Sequence, residues 1–408
     1  MIQKILTAAI LLFAASANAQ YKNDNILFKT VDPTDLCAAL ENNKGYLLLD
    51  VRSPGEHYDT SQFAGLNIGH LKGAKNISVN DLGKRLSELQ AYKDKPVFVY
   101  CSHSQRSRRA SKMLADSGFS KVFNINGGLT AFYYTNAREE GCLTSMVETA
   151  NTYNVISAID LCNKFSARAN NVFVLDVRPD SAFRHISTSA KTNAMGIIRN
   201  SVNIPLAELE TKLSVIPKDK DIVVTELGSG DAARAAVILK NNGYATVSVM
   251  IEGIGRLLST DEHYLPCKTL WYQPAANFNI ISVAEFGRLA KQHNDLVLVD
   301  ARTTEEFGNT AKDSWRNIGH LRNAINIPAA VIDIRIAELE KYKDRQIVVY
   351  GFSGDNESYD AANLLSQHGF KKVSVMATGL FDIRWSAANK KGMSDLKDMV
   401  VDVPEVNW

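Results

Sequence analysis

Leu47-Leu48-Leu49-Asp50-Val51-Arg52 is a short apolar run that ends on a carboxylate and, two positions on, a guanidinium. It returns as Phe173-Val174-Leu175-Asp176-Val177-Arg178 and again as Val297-Leu298-Val299-Asp300-Ala301-Arg302, a period of about 125 residues, long enough for each copy to be a domain with its own core. Outward from each copy the features keep one order. A helical stretch precedes it. A polar segment follows, then a second short strand (Asn76-Ile77, Asn203-Ile204-Pro205, Asn326-Ile327-Pro328) and another helical stretch. The third strand is Pro96 to Tyr100, Asp221 to Thr225 or Gln346 to Tyr350; a helix, a further strand and a glycine turn at Gly127-Gly128, Gly253 or Gly379 complete the unit. Short apolar strands alternating with amphipathic helices predict a mostly parallel sheet covered on both faces. The expected fold class is α/β, three domains in tandem, each a mostly parallel sheet flanked by helices.

Near the N-terminus, Lys4, the apolar run from Ile5 to Ala15 and Ala17-Asn18-Ala19 form the pattern of a secretory signal peptide over 1–19, cleaved after Ala19. The run is too short to cross a bilayer, no later stretch is long enough, and no cysteine follows the cleavage site, so no membrane anchor is expected. The mature protein is expected to be secreted or periplasmic. A formal net charge of +2 with no basic stripe points away from nucleic acid and toward small molecules or proteins.

The chemistry concentrates in Val97-Phe98-Val99-Tyr100-Cys101-Ser102-His103-Ser104-Gln105-Arg106-Ser107-Arg108-Arg109. A strand delivers a thiol to a short polar loop that opens a helix. Loop amides, the helix dipole and nearby guanidinium groups all favour the thiolate, the form that attacks. The strand ends, the Ile-Gly-His-Leu segments (Ile68 to Leu71, Ile318 to Leu321), this loop and the glycine turns resemble, in that order, the rhodanese family. Three rhodanese-like domains are expected, over 26–150, 151–275 and 276–400. The stretch between Glu56 and Gly69 departs from the family by its length, as do its two counterparts.

The resemblance implies a sulfurtransferase of the thiosulfate sulfurtransferase type, and the signal pattern an exported one. Cys101 would take sulfane sulfur from thiosulfate or a similar small anionic donor, hold it as a persulfide and pass it to cyanide or a thiol, a thiophilic acceptor, with no metal and no organic cofactor. Arg106 is then the expected anion binder, with Ser102, His103, Ser104, Gln105 and Ser107 as further substrate-binding candidates. Phosphatase relatives need five residues between cysteine and arginine; here four separate Cys101 from Arg106. The competing reading is a non-catalytic binding or scaffold protein.

The three copies control one another. Glu226 and Gly351 stand where Cys101 stands, so only the first domain is expected to react; the acidic second loop would repel an anion, and the third looks one residue longer. Domains 2 and 3 are then candidates for walling the active loop or docking a protein partner. Asp50 and Arg52 persist in the copies without a nucleophile, which makes them structural. His70 reads as a brace and His57 as a solvated side chain. Of the remaining cysteines, Cys37 to Cys142 and Cys162 to Cys267 have equal separations, and both positions are lost together in the third copy. Two intradomain disulfides are predicted, against the alternative of four buried thiols, leaving Cys101 free.

Overall fold

The computed structural model describes residues 27–135 and 141–404, apart from the side chains at 141, 142, 144, 168 and 169. The expected signal peptide over 1–19 lies outside the described residues.

The first unit contains β1 (Lys29–Val31), α1 (Leu36–Asn42), β2 (Leu47–Asp50), β3 (Lys75–Asn76), β4 (Val97–Tyr100), α2 (Gln105–Asp116), β5 (Val122–Ile125) and α3 (Gly128–Tyr134). Its strands pair in the order β1-β5-β4-β2-β3, and every pair is parallel. The strands read as continuous apolar runs because both faces are covered. Leu47, Leu49, Val97 and Val99 meet Ala110 and Leu114 of α2 on one face. Leu48, Phe98 and Tyr100 meet Leu36 and Leu40 of α1 and Phe132 of α3 on the other.

The plan repeats. The second unit has β6 (Asn154–Ile156), α4 (Ala158–Arg168), β7 (Val172–Asp176), α5 (Ala190–Ala194), β8 (Val202–Asn203), β9 (Asp221–Thr225), α6 (Asp231–Asn241), β10 (Val247–Met250) and α7 (Gly253–Ser259). The third has β11 (Asn279–Ile281), α8 (Val283–Gln292), β12 (Val297–Asp300), β13 (Ile325–Asn326), β14 (Ile347–Tyr350), α9 (Asn356–Gln367), β15 (Val373–Met376) and α10 (Gly379–Asn389). The parallel sheets, β6-β10-β9-β7-β8 and β11-β15-β14-β12-β13, have the same strand order as the first. The helical stretch expected before the third strand is short 3-10 turns in the first copy, Leu82–Lys84 and Leu86–Tyr92.

The repeated Asp and Arg are the brace of each sheet edge. Arg52 Nη2 donates to Asp50 Oδ2 at 2.8 Å and to Gly69 O at 2.6 Å. Arg178 makes the same bonds to Asp176 and Gly196 O, and Arg302 to Asp300 and Gly319 O. All six side chains are buried. The second-strand asparagine completes the brace: Asn76 Nδ2 donates to both Asp50 O and Arg52 O at 3.0 Å, and Asn203 and Asn326 repeat it.

The long stretches after Glu56 and its counterparts are the joints between units. The turn Ala64–Leu66 lies against the second unit's loop so closely that a Cβ on Gly65 would come 3.2 Å from Gly230 Cα. In the next joint, Ser189 Oγ and the Lys191 N–H meet Asn356 Oδ1 at 2.9 and 3.0 Å, at the start of α9. Trp315, at the corresponding place in the third unit, is half exposed.

Cys162 and Cys267 form a disulfide with Cα atoms 5.9 Å apart, tying α4 to the segment after α7. Cys37 is also disulfide-bonded; the side chain of its expected partner Cys142 lies outside the described residues. Cys101 is free and buried. No helix among the described residues is long and apolar enough to cross a membrane.

Candidate active site

β4 carries Cys101 to the carboxyl edge of the first sheet, where the residue is 1% exposed. The loop is pinned from behind: Leu129 N donates to Cys101 O at 2.8 Å and Thr130 N to Ser102 O at 3.0 Å. Gly128 allows this approach, since it has φ +59° and a Cβ there would stand 2.6 Å from Ser102 O. Ser104, just before α2, takes φ +82°, a left-handed conformation costly for a non-glycine residue. Among the described residues no carbonyl or side chain takes up the amides of Ser102 to Ser107. They are available to an anion on the sulfur, with the positive end of α2 behind them.

The other two loops show what such amides accept. Ile254 N bonds Glu226 O and Leu380 N bonds Gly351 O, so these residues take the backbone place of Cys101. The Glu226 carboxylate folds back onto its own loop, accepting from Ser229 N at 2.8 Å, Gly230 N at 2.6 Å and the Ser229 hydroxyl. In the third loop Asp355 Oδ2 accepts from Phe352 N at 3.1 Å, and a Cβ on Gly351 would come 3.0 Å from Asp355 Cγ. Each degenerate loop therefore holds a carboxylate of its own. The second acidic loop was expected to repel an anion; it is in fact already filled by one. The third loop is longer by one residue, as expected, and so is the second: α2 begins four positions after Cys101, whereas α6 and α9 begin five after Glu226 and Gly351.

The candidate side chains divide into two sets. Arg106 Nη1 and Nη2 donate to Glu56 Oε2 and Oε1 at 2.6 and 2.7 Å, and Nη2 also donates to Ser102 Oγ at 3.0 Å. His103 Nδ1 lies 2.9 Å from Ser102 Oγ, and its Nε2 lies 2.8 Å from Oε1 of Glu252 in the second unit. Ser104 and Ser107 face the other way. Ser104 Oγ donates to Ile125 O at 3.2 Å, and Ser107 Oγ lies 2.6 Å from the Asn124 amide and 3.1 Å from Ser104 O. Expected as substrate-binding hydroxyls, these two brace the loop against β5. Gln105 is exposed on the first turn of α2.

Burial pushes the Glu56 carboxyl up, but the Arg106 guanidinium and the Ser53 N–H hold it below the usual carboxylate range. The same ion pair raises Arg106 further. Glu56 also closes a capping box with Ser53, which locks its rotamer. Sequence reasoning missed Glu56, although a signal was present. Where the second copy has Ala182 in its place, Ala232 replaces Arg106, and the two charges vanish together. In the third copy Glu306 remains, Glu357 stands at the arginine position, and Arg316 of the joint supplies the cation.

His57 is the clear correction. Expected to be solvated, it is 4% exposed, with Nδ1 2.9 Å from Asp50 Oδ2 and its ring centroid 4.2 Å from that of His70, the two planes tilted by 37°. Tyr58, edge-on at 4.7 Å, packs against the same ring. Burial first, then the neighbouring His57, lowers the His70 pKa. Among the described residues no group of His, Cys, Asp and Glu is placed to hold a metal ion.

Comparison with known proteins adds three kinds of likeness. The sequence model of the rhodanese-like domain matches residues 32–135, 161–258 and 282–385. Over 128 residues the chain is 34% identical to the uncharacterized protein YqhL of Bacillus subtilis, covering 31% of this chain and 88% of that one. It is 32% identical over 107 residues to a tRNA uridine(34) hydroxylase of Escherichia coli, of whose length it spans 28% and which matches 25% of this chain. Among solved structures, thiosulfate sulfurtransferase from Pseudomonas aeruginosa aligns with 86% of this chain and 66% of its own, at 17% identity and a TM-score of 0.22.

Proposed function

This chain belongs to the family of rhodanese-like domains, and on that premise we propose that it is an exported sulfurtransferase whose single reactive site is Cys101. The observation that carries the reading is the contrast between loops: two hold a carboxylate of their own, and the one with a cysteine leaves its amides open. The Cys101 thiolate attacks the outer sulfur of thiosulfate. The sulfur–sulfur bond breaks, its electron pair leaves with sulfite, and Cys101 carries the persulfide. An acceptor thiolate or cyanide then takes the terminal sulfur, and Cys101 departs as thiolate. Loop amides stabilise the anionic sulfur in every one of these states, so no separate base is required. Export, to the periplasm or outside, is part of this proposal and rests on the sequence pattern of residues 1–19. The hydroxylase name of the tRNA-modifying relative is not carried over, because the shared segment is a small part of that protein.

Intact mass of the non-reduced protein before and after thiosulfate tests this reading. One added sulfur atom mapped to Cys101 is the expected result; none on a demonstrably free Cys101 would defeat thiosulfate as donor. A binding-module role is the second reading, favoured by the filled loops of domains 2 and 3.

Glu56 tempers the anion site. Its carboxylate occupies the guanidinium that would otherwise meet the donor, and a dianion feels it across a few ångströms. Glu56→Gln is expected to lower the KM for thiosulfate about fivefold, the equivalent of about 1 kcal/mol of relieved repulsion, while Arg106→Ala raises it. Steady-state kinetics at constant ionic strength decide the matter. A raised KM in Glu56→Gln would mean that the carboxylate acts mainly to aim Arg106.

A further inference from the structure

We propose that Glu252, from the second domain, is a positioning residue for the reactive loop of the first, so that the sulfur-transfer site is completed only by its neighbour. The inference rests on the sulfurtransferase reading for its chemistry but not for its geometry. Glu252 stands 149 positions from His103 in sequence, yet its Oε1 is 2.8 Å from His103 Nε2. Thr130 Oγ1 lies 3.4 Å from the same nitrogen.

The backbone at Glu252 is the second observation. It takes φ +57°, where the first copy has Gly127 at +68° and the third has Thr378 at −123°. Glycine would fit this turn without strain, and the chain carries a glutamate instead. A strained residue whose carboxylate reaches another domain's loop is poorly explained by folding alone.

The seam around it is built to hold that carboxylate in place. Arg256 Nε lies 3.7 Å from Glu252 Oε2, and its guanidinium sits 4.5 Å over the ring of Tyr134 of α3. Tyr134 Oη in turn donates to Ile251 O at 2.7 Å. Burial pushes the Glu252 carboxyl up, but the His103 bond and the Arg256 charge bring it below the usual carboxylate range.

From Glu252 the bonds run into the loop in one direction. With Nε2–H donated to Glu252, His103 Nδ1 accepts the Ser102 hydroxyl proton at 2.9 Å. Ser102 Oγ then accepts from Arg106 Nη2 at 3.0 Å, and Arg106 ends on Glu56. The outward face of the loop is thus clamped between two carboxylates, one from its own domain and one from the next. A cavity of about 310 Å³ opens beside the clamp, lined by Asn67, His103 and Thr130 on one wall and Ser229 and Glu252 on the other. It has room for a small thiol acceptor.

Glu252→Gly separates this role from a structural one, because it relieves the backbone strain while removing the carboxylate. The expected result is an unchanged or higher melting temperature with about a tenfold slower alkylation of Cys101 by iodoacetamide and a matching loss of turnover. Glu252→Gln keeps an acceptor for Nε2–H and is expected to restore both rates to within about threefold. His103→Ala added to Glu252→Gly should cost nothing further, since the two act as one unit. A Glu252→Gly protein that keeps the wild-type alkylation rate and the Nε2–H signal of His103 in nitrogen-edited NMR overturns the proposal. Alkylation needs no sulfur donor. If wild-type protein takes up no sulfur from thiosulfate while Glu252→Gly still slows alkylation, the positioning role stands and thiosulfate falls as the donor.

Discussion

Serine in place of Cys101 is expected to leave all three domains folded and to reduce sulfur uptake from thiosulfate by at least about a thousandfold, because a hydroxyl in this loop has no base to activate it. The side chain is 1% exposed and nearly isosteric with serine, so circular dichroism and the melting temperature should not move. Sulfur uptake is read by intact mass and turnover by sulfite release. Residual uptake above about one per cent would place the reactive sulfur acceptor elsewhere in the chain, since a serine cannot supply it. The disulfide-bonded cysteines offer no substitute while their bonds stay closed.

Asp50→Asn should be the most destabilising single change in the first domain, at about 3–5 kcal/mol, because it leaves a buried guanidinium without its counter-charge. Arg52 would retain only neutral acceptors, Gly69 O, Leu66 O and the amide oxygen of the new side chain. Burial pushes the Asp50 carboxyl up, and the bonds from His57 and Arg52 outweigh it, so its folded pKa lies below the ordinary value of 3.8. A depressed carboxylate stabilises the fold above its unfolded pKa, and that stabilisation is lost as pH falls through the folded value. Urea unfolding of the wild type should therefore weaken below about pH 4, and less steeply in Asp50→Asn. Because the chain has three domains, the transition of the first must be followed by a local probe. A loss under about 1 kcal/mol, or slower Cys101 alkylation in a protein of unchanged stability, would move Asp50 from brace to reacting group.

The brace and the free cysteine were legible for the same reason: both are carried by local sequence in a repeated frame. A carboxylate two residues before an arginine, at the end of an apolar run, binds its own neighbour whatever surrounds it. Cys101 stood out because the other two copies put Glu226 and Gly351 in its place. Ser104 and Ser107 misled, since the direction of a hydroxyl depends on the left-handed turn at Ser104 and on Asn124 behind it. His57 misled for a different cause: it pairs with Asp50 and packs against His70, thirteen positions on, and only the fold brings the two rings together. Glu56 was legible in principle, because it and Arg106 disappear together in the second copy.

By itself the sequence determined the α/β class, the threefold repetition, the strand that bears Cys101 and the pairing of Cys162 with Cys267. Each of these depends on periodicity and on residues that recur at equal distances, which need no three-dimensional knowledge. Tertiary structure alone decided how the Cys101 loop is held. The Glu56–Arg106 ion pair spans 50 positions and the His103–Glu252 contact 149. No local pattern reports which of many carboxylates arrives at a given nitrogen; for Glu252 the joint at Gly65 seats the second domain against the first, with Gly230 close enough to leave no room for a side chain.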